Sequence, residues 1–312
     1  MGHATQSLDR RTELLGYGAC ALAGGLWGTG FYFGRLALNE MSVEWMVLYR
    51  YAFACVGLLP LLARNRVRLT ANEWVILLLS TFLGIPVQFL MQFHGLVMTT
   101  VSHASLMVGT LPVLLAIASV WFAGEKMNWL NWLALVGSTG GVALIVLGGG
   151  KGGAHGASLR GDLLILVSLF ISVFWIMLNK KLMTRHSPVV VTTYCILAGT
   201  IMLVLWVIGL WMTGHATAAP MGAVSRKAWL ALAASGLLCT ATTTLLWNWG
   251  IHHVPTSRAG IFLNMEPVVG SVLGVTLLGE VMGTVGWLGG GLIVVAAAVM
   301  TLRGGEPEVI LE

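Results

Sequence analysis

Ten uninterrupted apolar runs, each close to 20 residues long, divide this 312-residue sequence. They run Gly16 to Leu36, Val43 to Leu62, Trp74 to Gln92, Ser102 to Phe122 and Trp129 to Leu147, then Leu163 to Leu182, Val189 to Met212, Trp229 to Trp249, Ser257 to Leu278 and Val285 to Thr301. A helix of about 20 residues is about 30 Å long and matches the hydrocarbon core of a bilayer. Barrel strands would instead show ten-residue segments of alternating polarity. Only 9% of residues are charged, against about 25% in a soluble domain, so no soluble surface can be assembled. The predicted class is an all-α polytopic membrane protein with ten transmembrane helices. Arg10 and Arg11 followed by Ala21-Leu22-Ala23 mimic a signal peptide, but the triplet comes too early in the run, so the first span is read as uncleaved.

The net charge of +5 resides mainly between the spans. One side of the membrane collects Arg10, Arg11, Arg64, Arg66, Arg68, Lys126, Lys180, Lys181, Arg185, Arg258 and Arg303; the other keeps Arg35, Lys151, Arg160, Arg226 and Lys227. This asymmetry predicts both termini in the cytoplasm. It also explains the basic balance as a topology signal, without a nucleic-acid partner. Cys20, Cys55, Cys195 and Cys239 are scattered within apolar runs and form no disulfide or zinc pattern.

A shift of 155 residues aligns the two halves of the chain. LPVLLAIASVWFAGE at 111–125 then faces EPVVGSVLGVTLLGE at 266–280, pairing Pro112 with Pro267, Gly124 with Gly279 and Glu125 with Glu280. The same shift pairs Gly95 with Gly250, Ser102 with Ser257, Ala104 with Ala259 and Trp132 with Trp287. The Gly-rich stretch at 148–160 separates a first five-helix unit at 16–147 from a second at 161–303, with short segments 1–15 and 304–312 outside them. Five is odd, so the second unit enters the membrane from the opposite side, and two inverted five-helix repeats are expected, with a substrate site near the midplane.

Two tandem units, each with a Pro-containing helix, a Gly-Glu turn and a Trp-bearing last helix, resemble the EamA family of the drug/metabolite transporter superfamily. The resemblance covers 16 to 303 and is carried by Trp27, Arg50, Gly95, Pro112, Glu125, Asn264-Met265-Glu266-Pro267 and Gly279-Glu280. It implies a carrier for small metabolites, often amino acids including aromatic ones, in the inner membrane of a bacterium, without ATPase domain or cofactor. A monomer or a homodimer is expected.

Two ionisable residues lie well inside spans, where a charge costs about 3 kcal/mol and seeks a cavity or partner. Glu266, in the ninth span, precedes Pro267, whose missing N–H is expected to kink the helix and free a carbonyl one turn earlier. Its carboxylate suits an amine or a proton; alternatively it stabilises the kink or pairs with Arg50. Arg50 suits a substrate carboxylate, or it snorkels outward together with Glu44.

Gln88 and Gln92 share a face of the third span. Their repeat equivalents, Thr243 and Trp247, lie on the eighth. Both faces are read as cavity lining, with helix glue as the alternative. Asn264, Trp27, Tyr32, Trp175 and Asn248 complete the expected substrate-binding set, although most of the thirteen tryptophans serve as interfacial belt.

His94 and His103 fall on the opposite side from His252 and His253, which excludes a shared metal ion. Glu125 and Glu280 are expected to face the amides of the helix that follows each of them. Gly30/Gly34, Gly137/Gly141, Gly270/Gly274 and Gly286/Gly290 read as close-packing positions, within the chain or at a dimer contact. HExxH, G-x-S-x-G and Walker sequences are absent, which argues against a membrane enzyme or ATP use. No filter or carboxylate ring suggests a channel. A multidrug or lipid-linked-substrate exporter on the same fold is the remaining alternative.

Overall fold

The computed structural model describes residues 2–64, 67–111, 113–114, 117–118, 129–147, 158–215, 222, 224–254 and 260–303. Glu125, Ser257 and most of the Gly-rich linker lie outside these. Ten helices run through the described chain. They are α1 (Gly2–Leu38), α2 (Val43–Arg64), α3 (Ala71–Met98), α4 (Val101–Val108), α5 (Trp129–Leu147), α6 (Leu159–Met183), α7 (Pro188–Met212), α8 (Arg226–Gly236, Leu237–Thr242 and Thr243–His253), α9 (Met265–Leu278) and α10 (Thr284–Arg303). Among the described residues four helices are long and apolar enough to cross a membrane: α3, α6, α7 and the 226–251 portion of α8. Three shorter apolar helices lie within α5, at Phe262–Leu278 and within α10. The first helix starts well before Gly16, so the onset of apolar sequence does not coincide with a helix boundary.

Side-chain caps set several helix starts. Thr70 and Glu73 form a reciprocal capping box at α3, and Thr100, Ser158, Ser187 and Ser225 each accept a first-turn amide. Ser225 also gives its N–H and hydroxyl to Glu40, both at 2.6 Å, which holds the Glu40 carboxyl below the ordinary carboxylate range. At the other terminus of a helix, α9 ends on Gly279 at φ +65, with Glu280 N–H bonded to Gly274 C=O.

Helix neighbours follow a regular scheme. The N-terminal half contributes α1, which packs on α8; the C-terminal half contributes α6, which packs on α3. Further pairs join α4 with α9, α5 with α10 and α2 with α7. Exchanging the first five helices for the last five reproduces this list.

Glycines let these backbones approach. A Cβ at Gly270 would meet Ser105 Oγ at 2.1 Å, one at Gly274 would meet Ser102 Oγ at 2.4 Å, and one at Gly141 would meet Gly289 C=O at 2.6 Å. The α4–α9 and α5–α10 contacts thus use Gly270, Gly274 and Gly141 inside one chain, so these three need no dimer to explain them. We expect Gly270→Val to destabilise the folded protein by about 1–3 kcal/mol through overpacking. Gly209→Ala, where nothing lies within 4 Å, should be neutral or mildly stabilising; thermal unfolding in detergent compares the two.

Candidate functional site

Regular α geometry is lost within two helices and at the end of two others. In α3, residues Leu83–Val87 form a π turn around Pro86; in α8, residues Leu237–Thr242 do the same. The shift of 155 carries 83–87 onto 238–242. Helix α4 breaks at Gly109–Thr110, where Gly109 N–H reaches Leu106 C=O and Thr110 N–H reaches Met107 C=O, both at 3.0 Å. Its counterpart α9 is preceded by a tighter 3₁₀ turn, Gly260–Asn264. The same shift carries 109 onto 264. Widened or broken turns expose backbone polar groups, and in a membrane protein they are tolerated where protein or a cavity satisfies them.

Pro267 does not kink the middle of a long helix as its sequence position suggests. It occupies the first turn of α9, where a missing N–H costs nothing because that group has no intrahelical partner in any case. Glu266 therefore sits at a helix N-terminus beside Asn264. Neither Nδ2 nor Oδ1 of Asn264 has a protein partner, although the residue is only 7% exposed.

Arg50 is 5% exposed and does not snorkel. Its Nε donates to Thr240 Oγ1 at 2.8 Å and Nη2 reaches Cys239 C=O at 3.5 Å, both groups belonging to the π turn of α8. The guanidinium lies over the Phe89 and Phe93 rings of α3, 5.1 and 5.4 Å from their centroids. Glu44, the expected companion of Arg50, pairs instead with His94 at 3.0 Å. Helices α2, α3 and α8 are thereby joined around one buried cation.

Arg50 and Glu266 lie within electrostatic reach of each other, and Cys239 lies within reach of both. Among the described ion pairs neither takes part. Both border α1: Arg50 stands against Gly30, and the Glu266 carbonyl against Gly28. One turn from Gly30, the Trp27 ring meets Trp247 of α8 at 5.5 Å. Gln88 and Gln92 are buried on α3 beside the two phenylalanines, and Gln88 Oε1 has no protein partner. Thr243 is fully buried and bonds back to Thr240 C=O.

The other expected residues are engaged elsewhere. Trp175 packs on Gly84 at the α3–α6 contact, its Nε1 without a protein partner. Asn248 donates to Thr192 of α7, and half-buried Tyr32 meets the ring of Phe33. Sequence reasoning missed Thr240, Phe89 and Phe93. The run Thr240-Ala-Thr-Thr-Thr244 inside an apolar span was the available signal for the first.

His94 pairs with Glu44, His103 Nδ1 faces Asp162 at 3.5 Å without a hydrogen bond, and no described group of three or more His, Cys, Asp or Glu residues has metal-binding geometry. A surface groove of 470 Å³ between α3 and α6 is lined by Met91, Leu159, Leu163, Leu164, Val167 and Arg160. Leu159, Leu163 and Val167 are exposed there, as suits a wall facing acyl chains.

The arrangement makes Thr240 the support of a charge in a low-dielectric interior. Thr240→Val keeps the shape but leaves Arg50 Nε–H unsatisfied, and we expect a loss of about 1–3 kcal/mol of stability. Thr240→Ser should restore it, with melting temperature as the readout.

The sequence matches the EamA-like transporter family twice, over residues 14–147 and 159–302. An uncharacterized transporter of Archaeoglobus fulgidus is 24% identical over 275 residues, covering 88% of this chain and 91% of that protein. A probable terminal-alkyne amino-acid exporter of Streptantibioticus cattleyicolor is 25% identical over 281 residues, covering 89% and 90%. A protein of known crystal structure superposes with a TM-score of 0.65 over 94% of this chain and 97% of its own, at 19% identity.

Proposed function

The chain belongs to the EamA-like transporter family, and from that premise we propose that it exports amino acids, including hydrophobic and aromatic ones, by alternating access. It is a multi-pass membrane carrier, and the family to which it belongs is one of transporters rather than enzymes. The observation that carries the substrate reading is the pair of opposite charges, Arg50 and Glu266, placed near each other in a belt of interrupted helices without an ion pair between them. A free amino acid has a carboxylate and an ammonium on one carbon and meets both requirements. The guanidinium fork takes the carboxylate, Glu266 takes the ammonium, and Trp27, Trp247 and Phe89 offer apolar rings to the side chain. The likeness to a probable terminal-alkyne amino-acid exporter supports the same class.

Inverted repeats are supported by the two family matches, the shift of 155 that relates π turns and broken helices, and the exchange symmetry of helix neighbours. Such a pair relaxes into two mirror-related states, one open to each side. The basic residues favour cytoplasmic termini.

Proteoliposomes containing the protein should take up radiolabelled phenylalanine saturably, with threonine and lysine compared alongside. Glu266→Gln should lower uptake at least tenfold while leaving the protein monodisperse. If well-folded protein moves none of the three, the amino-acid reading fails and lipophilic drugs or lipid-linked substrates take its place.

A further inference from the structure

At the end of the bundle where α1 finishes, helix ends from both halves meet around buried charges. Arg35 donates to the carbonyls of Leu96 and Thr99 at the end of α3. Asp162 of α6 accepts from the Thr99 hydroxyl and faces His103 at 3.5 Å. Ser158, at the start of α6, donates to Met98 C=O at 2.6 Å.

Glu280, just beyond α9, takes three donors from the start of α4. Oε1 accepts Val101 N–H at 2.7 Å; Oε2 accepts Ser102 N–H at 2.8 Å and the Ser102 hydroxyl at 2.6 Å. This differs from the sequence expectation, in which Glu280 faces the following helix α10. The amides it satisfies belong to the other half of the chain.

The turn after α9 does not need this carboxylate, being closed by Gly279 and by the Glu280 N–H bond to Gly274. At the start of α4, Thr100 accepts His103 N–H at 3.1 Å, and the amides of the buried Val101 and Ser102 go to Glu280 from the other half of the chain. The carboxylate is not consumed by a neighbouring cation: Arg35 lies within electrostatic reach but gives its hydrogen bonds to carbonyls. Along the remainder of the α4–α9 contact, Ser102 and Ser105 lie against Gly274 and Gly270, with no large side chains interlocking at these positions. Among the described residues Glu280 is therefore the one ionic tie between the start of α4 and the end of α9. Regular geometry is lost just after α4 and just before α9 at repeat-equivalent positions, and α9 carries Glu266 and Asn264 at its other end.

We propose that Glu280 is a latch residue of the transport cycle, whose carboxylate, by holding α4 to the end of α9, closes this end of the bundle over the Arg50–Glu266 belt and must release α4 for the belt to open there. The proposal rests on the alternating-access reading above. It assigns to Glu280 a positioning role, since the carboxylate acts through α4 and touches no substrate.

The test uses full-length protein in oriented membrane vesicles, with Cys20, Cys55, Cys195 and Cys239 replaced and a single thiol introduced by Gln88→Cys. A membrane-impermeant maleimide is applied from each side in turn. Glu280→Ala should raise the labelling rate from the side on which α1 ends at least tenfold, without raising it from the opposite side, and Ser102→Ala should give a smaller rise of the same sense. Should Glu280→Ala fold poorly, Glu280→Gln keeps the shape and should raise the one-sided rate at least threefold.

Unchanged rates, or equal rises from both sides in folded protein, overturn the latch, the second because it marks general loosening. A thiol at position 88 that reacts from neither side in any variant overturns the central-belt reading and the latch with it. Labelling requires no substrate, so an error in the proposed substrate class leaves this result intact.

Discussion

A polypeptide in hydrocarbon must satisfy each backbone N–H and C=O within the protein, and that constraint governs where this bundle is allowed to be irregular. Regular helix is the default for ten apolar segments. Departures cluster in α3, α4, α8 and α9, where neighbouring side chains or tighter turns take over the freed groups. Thr110, for example, folds its hydroxyl back on Met107 C=O at 2.7 Å. Arg50 uses the loosened backbone and Thr240 of the α8 π turn as acceptors. Irregular backbone and buried charge thus meet: the turn carries the Thr240 hydroxyl and the Cys239 carbonyl that accept from the guanidinium.

Those contacts explain how a full positive charge is kept within an apolar interior without an ion pair. Desolvating a guanidinium is costly, and the compensation comes from one hydroxyl, one carbonyl and two aromatic faces. None of these neutralises the charge. A cation solvated in this way retains an attraction for anions, which is the property the proposed carboxylate-binding role of Arg50 calls for. Placing Glu266 nearby but outside ion-pair distance has the same consequence for cations.

Small residues set the packing around the belt. Serine–glycine contacts join α4 to α9, and glycine backbones meet where α5 crosses α10. Small residues bring these helices close, and at α5–α10 side chains such as Ile293 and Leu144 seat against the opposing glycines, so stability comes from backbone proximity and close packing together with hydrogen bonds at the helix ends. The ends of α1, α3, α4, α6 and α9 are tied through Arg35, Asp162, Ser158 and Glu280, whereas the π turns lie in the middle of α3 and α8. A structure held at its ends and interrupted at its middle is suited to rocking.

The sequence by itself determined the all-α class and its ten helical segments, because hydrocarbon permits one solution for continuous apolar runs, and it carries the shift of 155 between its halves in side chains. It also singled out Arg50 and Glu266, since charges are conspicuous where almost none are found. Tertiary structure decided what those charges meet. Arg50 and Thr240 are 190 positions apart, and Glu280 and Ser102 are 178 apart; no local pattern encodes either pairing. Pro267 shows the limit most clearly: the residue predicts an interruption, but whether it kinks a helix or begins one depends on the preceding 3₁₀ turn, which packs closely on α1 at Gly24. Periodicity and composition report the solvent a segment faces, while hydrogen-bond partners follow from which helices the packing brings together.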